Sequence, residues 1–201
     1  MGRALGRWFM IPKIQSMARV LLELGAAVWL GSAAASGQAH SHGRVVRLSF
    51  VEGRVTVERP GDSEWTEAPV NTPLEEGFKL ATSEGSFTEV EFENDSTVRI
   101  GQLSMLEFTQ LGLASDGSKI NHLALNAGYA SFSVVPEGQD TYEITTADTT
   151  LTPRGKSLFR VDVDSSEERV EVFSGFVDVS SALGSWPLVR MRVQPVRMIA
   201  S

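Results

Sequence analysis

The sequence predicts an all-β domain of antiparallel sheets, arranged as a sandwich or as a short β-solenoid-like stack of about a dozen short strands. From Arg44 onward apolar and polar side chains alternate with a period of two, turn residues bound each run, and no run of ten or more residues has helical spacing. Successive side chains of a strand point to opposite faces, so this alternation buries one face and exposes the other. Without helices between them, the strands are expected to pair antiparallel.

The first 39 residues differ from the rest and predict a secretory signal peptide. Residues 17–39 combine one basic residue, an apolar stretch and a small-residue end, as secretory signals do. We expect cleavage after Ala39, with Ala35 as a second option, and Met17 as an alternative start. The apolar run is too short and too interrupted for a membrane span. An amphipathic helix of a cytosolic protein is the alternative, but it leaves the small-residue end unexplained.

Charge and cysteine content exclude several functions. Without its first 39 residues the chain keeps 14 basic and 24 acidic side chains, a formal charge of −10. Such a surface repels phosphate backbones, so no nucleic-acid partner is expected. The chain has no cysteine, which excludes disulfides, cysteine-ligated zinc, iron–sulfur clusters and a thiol nucleophile. Gly-rich phosphate loops are also absent, and no cofactor is predicted.

The alternating runs define the expected strands. They lie at residues 46–50, 55–57, 90–92, 98–100, 106–108, 159–163, 170–172 and 177–179. The first run predicts that Val46, Leu48 and Phe50 all face the interior. Turns are expected at Asn94-Asp95, where a tight hairpin fits, and at Asp116-Gly117, where a longer hairpin loop fits.

A short glycine pattern recurs three times in the chain. Gly53, Gly128 and Gly175 are each followed by one residue and then by two apolar or small side chains that are two positions apart. Glycine permits a bend or a bulge where a strand begins. The spacing between the three copies is too irregular for a repeat protein.

Candidate chemical groups are few. Cleavage after Ala39 would expose His40-Ser41-His42, in which the free amine, two amide nitrogens and the imidazole of His42 form a square-planar Cu(II) or Ni(II) site with His40 as an axial ligand. Glu89, Glu91 and Glu93 line one strand face and are interpreted as a solvated face, because calcium-loop spacing is absent. His122 is expected to face solvent. No catalytic residue is predicted.

The C-terminal segment and three aromatic residues are candidates for contacts. Residues 182–201 contain three arginines and no acidic residue, which fits one further strand or a basic tail. Trp65, Tyr129 and Trp186 are the first candidates for binding a partner, and burial in the core is an equal alternative for Trp65.

An ordered series of short motifs resembles the FecR-like domain over about residues 45–181. The series comprises Gly53-Arg54-Val55-Thr56-Val57, Trp65, Leu80-Ala81-Thr82, Val90-Glu91-Phe92, Val98-Arg99-Ile100, Arg154-Gly155, Phe159-Arg160-Val161-Asp162-Val163 and Val170-Glu171-Val172 with Gly175-Phe176-Val177-Asp178-Val179. Two departures are Thr146-Ala147, where the family has Thr-Pro, and the residues 156–158 that follow Arg154-Gly155. The resemblance implies the fold and a cell-envelope location, but it does not carry over transmembrane signalling.

These observations favour an exported, non-enzymatic binding module of the bacterial cell envelope, periplasmic or secreted, with a protein or polysaccharide partner. The alternative is a component of cell-surface signalling that regulates a sigma factor through a partner protein. A carbohydrate-active enzyme that uses Glu91 is a third hypothesis, to be tested by Glu91→Gln.

Overall fold

The computed structural model describes residues 44–165, 168–182 and 184–189, with the side chains of all of these except residues 186–189. Described residues form strands and turns, and none forms a helix, which confirms the predicted all-β class. The strands are β1 (Arg47–Glu52), β2 (Val55–Glu58), β3 (Thr66–Glu67), β4 (Lys79–Thr82), β5 (Phe87–Glu91), β6 (Thr97–Ile100), β7 (Met105–Leu113), β8 (Lys119–Val134), β9 (Thr141–Thr145), β10 (Thr149–Pro153), β11 (Ser157–Val163), β12 (Glu168–Ser174), β13 (Phe176–Ser181) and β14 (Gly184–Val189). No helix in this described part is long and apolar enough to cross a membrane.

Two sheets share the long strand β8. Sheet A has the order β1-β5-β6-β8-β11-β12, and sheet B has the order β3-β2-β4-β7-β8-β9-β10-β13-β14. The first half of β8 pairs in sheet B and the second half in sheet A. All pairs are antiparallel except β8 with β9, which is parallel, so the expectation of purely antiparallel sheets is wrong at this one pair.

The inner faces of both sheets meet in one hydrophobic core, which gives the sandwich-like architecture that the alternation predicted. Phe132 of β8 and Phe159 of β11 stack with ring centroids 5.1 Å apart. Leu80, Leu106 and Leu123 of sheet B are fully buried in the same core. Each strand contributes every second side chain, so burial follows the period of two.

Phe50 is an exception to the predicted burial, since 48% of it is exposed. The pairing of β1 with β5 shifts between Leu48, which lies opposite Val90, and Phe50, which lies opposite Glu89. Ser49 is therefore an extra residue in a β-bulge, and the bulge moves the next side chain to the other face. The prediction of an interior Phe50 is wrong for this reason.

Residues with positive φ mark each passage of the chain between the two sheets. Seven such passages occur within the described residues, and they contain Gly53, Gly85, Leu103, Gly128, Gly138, Gly155 and Gly175. The three glycines of the recurring sequence pattern, 53, 128 and 175, are thus corners, as the expected bends required. Each packs against a buried serine (Ser86, Ser104 and Ser157), and a Cβ on the glycine would overlap that serine. Leu103 is the one non-glycine residue in this set.

Arg44 binds the beginning of the described chain to the sandwich. Its guanidinium donates to both carboxylate oxygens of Glu93 (Nε to Oε1 2.9 Å, Nη2 to Oε2 3.0 Å) and to Oδ1 of the fully buried Asn121. Burial alone would raise the pKa of Glu93, but hydrogen bonds from Arg44 and from the backbone of Val45, with the charge of Arg44, lower it to about 2. Arg44 and Glu93 therefore form a charged pair that favours the folded state.

Candidate functional site

The outer face of sheet A carries a cleft of about 540 Å³, a volume in the usual range of ligand sites. We call it the aromatic cleft. Its lining residues are Phe50, Phe87, Thr88, Glu89, Arg99, Ile100, Gly101, Tyr129, Ser131 and Arg160. They come from β1, β5, β6, β8 and β11 and from the residue that follows β6. These strands are paired with one another, so the hydrogen bonds between them fix the positions of the lining residues.

One row of neighbouring residues in the cleft shows why position 101 is a glycine. Thr88 pairs with Ile100, so Phe87 lies across from Gly101, and the N–H of Gly101 donates to the carbonyl of Tyr129 at 2.9 Å. Glycine leaves space that the ring of Tyr129 fills, since this ring lies where a Cβ on Gly101 would be. A larger residue at 101 would displace this ring, so glycine is required here.

The adjacent row supplies the charged groups. Phe50, Glu89, Arg99, Ser131 and Arg160 follow one another across five paired strands. Residues in such a row share one face of the sheet. The small side chain of Ser131 forms the floor between the two arginines, which stand on the strands to either side.

Arg160 and Tyr129 form a fixed pair at one wall. The guanidinium carbon lies 4.1 Å from the centre of the Tyr129 ring, within the range of a cation–π contact. Asp162 accepts hydrogen bonds from Nε and Nη2 of Arg160. This carboxylate holds the guanidinium in place, so one face of the Tyr129 ring is covered.

The three glutamates of β5 and its following turn are each bound by an arginine. Glu89 accepts from Arg99 at 2.6 Å and Glu91 from Arg47 at 2.8 Å, and Glu93 is bound by Arg44. Acid/base chemistry on a glycan needs two carboxyl groups that face each other across the substrate. These three point along one strand face and are neutralised separately, which favours a structural role. Within the described ranges no group of three His, Asp or Glu side chains is placed to hold a metal ion.

Comparison with known proteins identifies the family of this chain. The model of the family described as "FecR protein" matches residues 78–178, half of the chain. The chain belongs to the FecR family. This match includes every lining residue of the aromatic cleft except Phe50, so most of the cleft lies within the FecR region.

Similar solved structures include two crystal structures of a candidate anti-sigma factor from Parabacteroides distasonis ATCC 8503. Each has a TM-score of 0.48 and 15% sequence identity, and the match covers 60% of this chain and 58% of that protein. The FecR chain thus spans a little over half the length of these neighbours. No curated protein matches it.

Of the aromatic residues singled out in the sequence of this FecR chain, Tyr129 lies in the cleft. Trp65 lies just before β3 at the edge of sheet B and is partly exposed. Trp186 lies in β14, and its side chain is outside the described residues. His40 and His42, the predicted metal ligands, also lie outside them. Whether these residues bind anything stays a prediction.

Sequence reasoning missed most of the cleft of the FecR domain. Phe87 could have been found from the sequence, because it lies two residues before Glu89 and four before Glu91 on one strand and therefore shares their outer face. Phe50 could not have been found, since the bulge that exposes it is visible only in the pairing of β1 with β5. Arg160 could not have been found either, since its neighbour Tyr129 is 31 positions away in the chain.

Proposed function

We propose that this FecR-family chain is an exported, non-enzymatic binding module of the cell envelope, and that the aromatic cleft contacts a protein partner. The observation that carries the proposal is the cleft itself. Phe50 and Phe87 are 48% and 39% exposed, while Tyr129 and Arg160 form a fixed wall beside them. Exposed aromatic side chains and arginines, held rigidly by neighbours, are the residues that contribute most to protein–protein binding.

A protein fits this cleft better than a neutral polysaccharide. Sugars bind against open faces of aromatic rings, and Arg160 covers one face of the Tyr129 ring. The remaining rings, Phe50 and Phe87, have no hydrogen-bonding atom of their own, and the polar side chains beside them, Glu89 and Arg99, are already bound to each other at 2.6 Å. Phenylalanine side chains suit the apolar side chain of a protein partner.

The predicted signal peptide supports an envelope location for the proposed module. The signal peptide predicted for residues 1–39 would release a chain that begins near His40, four residues before the Arg44 pair. Mass spectrometry of the purified protein would read the mature N-terminus. An uncleaved chain in the cytosol would contradict the location, and a start other than His40 would contradict the predicted metal site.

Photo-crosslinking in living cells tests the contact surface. The photoreactive residue p-benzoyl-phenylalanine replaces Phe87 in the cleft or, as the matched control, Phe176, which is exposed on sheet B. Both replacements preserve an aromatic ring on an exposed position. We expect position 87 to capture one defined protein and position 176 not to capture it. The same products at both positions, or none at 87, would contradict the proposal.

Membership of the FecR family also favours a second function, regulation of a sigma factor through the bound partner. In that case Ser131→Phe, which fills the floor of the cleft, should change the transcripts of one sigma-factor regulon as deletion of the gene does. The matched control is Ser133→Phe, two residues along the same face of β8 and outside the lining. A Ser131→Phe strain with a wild-type transcript profile would contradict the signalling function.

A further inference from the structure

We infer that the ligand of the aromatic cleft is an acidic peptide segment, whose carboxylate lies between Arg99 and Arg160 above Ser131 and whose neighbouring apolar side chain lies against Phe50 and Phe87. This inference rests on the proposed function, because it assigns the chemistry of a protein partner at the same cleft.

Two arginines stand at matched positions around the floor of the cleft. Ser131 pairs with Arg99 on one side and with Arg160 on the other. Two strand spacings separate the arginine backbones by about 10 Å, so two long side chains can reach one anion between them. The hydroxyl of Ser131 adds a donor at the same level. Paired guanidinium groups with a hydroxyl below them are suited to a carboxylate.

Both arginines keep donors for a ligand. In the described part of the chain, Arg99 donates to Glu89 through Nε, and Arg160 donates to Asp162 through Nε and Nη2 and lies opposite Glu171 on β12. Arg99 is the more available of the two, because its side chain is 75% exposed. An ion pair this exposed contributes about 1 kcal/mol or less, so a ligand carboxylate competes readily with Glu89 for it.

The surrounding charge favours a short acidic segment over a polyanion. The chain after residue 39 carries a formal charge of −10, and such a surface repels an extended polyanionic chain. A peptide that places one carboxylate in the cleft meets Arg99 and Arg160 directly, whereas the nearest acidic side chains, Glu89 and Asp162, are already bound to these two arginines. Salt screens the charges that lie beyond about 8–10 Å.

The apolar part of the ligand has a place beside the anion. The ring of Tyr129 covers Gly101, and Phe87, which lies across from Gly101, is 39% exposed, so the apolar side chain of the ligand would lie against Phe87 rather than over the glycine. Phe50 closes the far end of the charged row, opposite Glu89. An aromatic or aliphatic residue next to the carboxylate would remove both phenylalanine rings from water.

Capped tetrapeptides test the inference on the full chain. The probe is Gly-Glu-Phe-Gly, and its matched controls are Gly-Gln-Phe-Gly, without the carboxylate, and Gly-Glu-Ser-Gly, without the ring. Binding is followed by the amide chemical shifts of Gly101 and Ser131. We expect saturable shifts with the probe and about tenfold weaker binding of each control, the change that one charge-assisted hydrogen bond or one buried ring contributes. Equal affinity for the glutamine peptide, or no saturable shift, would overturn the inference.

Two protein variants test whether the probe binds Arg99 of the cleft or any exposed arginine of the surface. Arg99→Gln is expected to weaken the probe about tenfold, whereas Arg154→Gln, an exposed arginine paired with Asp178 in sheet B, should leave it unchanged. Equal loss in both variants would contradict the role of Arg99. An oligogalacturonate that binds the wild type more tightly than the probe would also overturn the inference, in favour of an anionic polysaccharide.

The peptide inference and the proposed function fail in different ways. If position 87 still captures its protein when Arg99→Gln is present and the tetrapeptide does not bind, the cleft contacts a partner of another chemistry. If position 87 captures nothing, the proposed function itself fails.

Discussion

Replacing Glu93 by glutamine is expected to lower the free energy of unfolding by about 2 kcal/mol at pH 7. The carboxylate receives hydrogen bonds from Nε and Nη2 of Arg44 and from the N–H of Val45, all between 2.9 and 3.0 Å. Only 9% of the Arg44 side chain is exposed. The guanidinium therefore stays buried in the variant, where it faces an amide that carries no charge and is able to accept through one oxygen only.

The magnitude follows from the pKa of Glu93. A carboxyl whose pKa falls from 4.5 to about 2 on folding gains about 3 kcal/mol from the folded environment when ionised. Glu93 retains some contact with solvent, which reduces this to about 2 kcal/mol. Because the folded pKa lies below the unfolded one, the stabilisation is complete above about pH 5 and is lost as the pH falls toward about 2.

Urea unfolding followed by circular dichroism measures the effect at pH 7 and at intervals down to pH 3. The matched control is Glu91→Gln on the same strand face, whose partner Arg47 is well exposed, so its cost should stay below about 1 kcal/mol. The difference between wild type and Glu93→Gln should narrow as the pH falls below 5. Equal costs for the two variants, or a difference that does not change with pH, would refute the reasoning.

Three further substitutions test the corners and the bulge by the same unfolding assay. Gly128→Ala should lower the free energy of unfolding by at least about 3 kcal/mol, because its Cβ overlaps Ser104 at a positive φ. Gly85→Ala, with open space around it, should lower it by only about 1 kcal/mol. Similar losses in the two variants would contradict this account. Leu103→Gly should change the free energy of unfolding by less than about 1 kcal/mol, since relief of the positive φ offsets the flexibility of glycine and the side chain is 62% exposed. A larger loss would mean that the Leu103 side chain packs against its neighbours. Phe50→Ser should lower the free energy of unfolding by about 0.5 kcal/mol or less. A loss of about 3 kcal/mol, typical of a core residue, would mean that Phe50 is buried as the alternation predicted.

Most of the fold could be predicted because its signals are local. The period of two assigned the class and much of the core, for example Phe108 and Phe159, which are fully buried. The hairpin at Asn94-Asp95 is present between β5 and β6, where Asp95 adopts a positive φ of 60°. The glycine pattern at 53, 128 and 175 located three corners. Strand alternation and turn chemistry involve residues close in sequence, so they can be read directly.

The candidate site could be predicted only in part. Tyr129 is a candidate contact residue from its aromatic character alone, and it lies in the cleft. Its neighbours Gly101 and Arg160 could not be assigned to it, because register between distant strands decides which residues meet. The parallel pairing of β8 with β9 is likewise invisible in a pattern that looks the same for either strand direction.

The sequence by itself determined the all-β class, the acidic body and the burial of alternate side chains, since composition and periodicity need no knowledge of pairing. Its ordered series of motifs indicated the resemblance to the FecR-like domain. Tertiary structure alone decided the face on which Phe50 lies, the position of the Tyr129 ring over Gly101, and the placement of Arg99 and Arg160 on either side of Ser131. The physical reason is that a sheet brings together residues whose neighbours along the chain point elsewhere. A single-residue bulge or a change of register reassigns a side chain to the opposite face without any change in the local pattern.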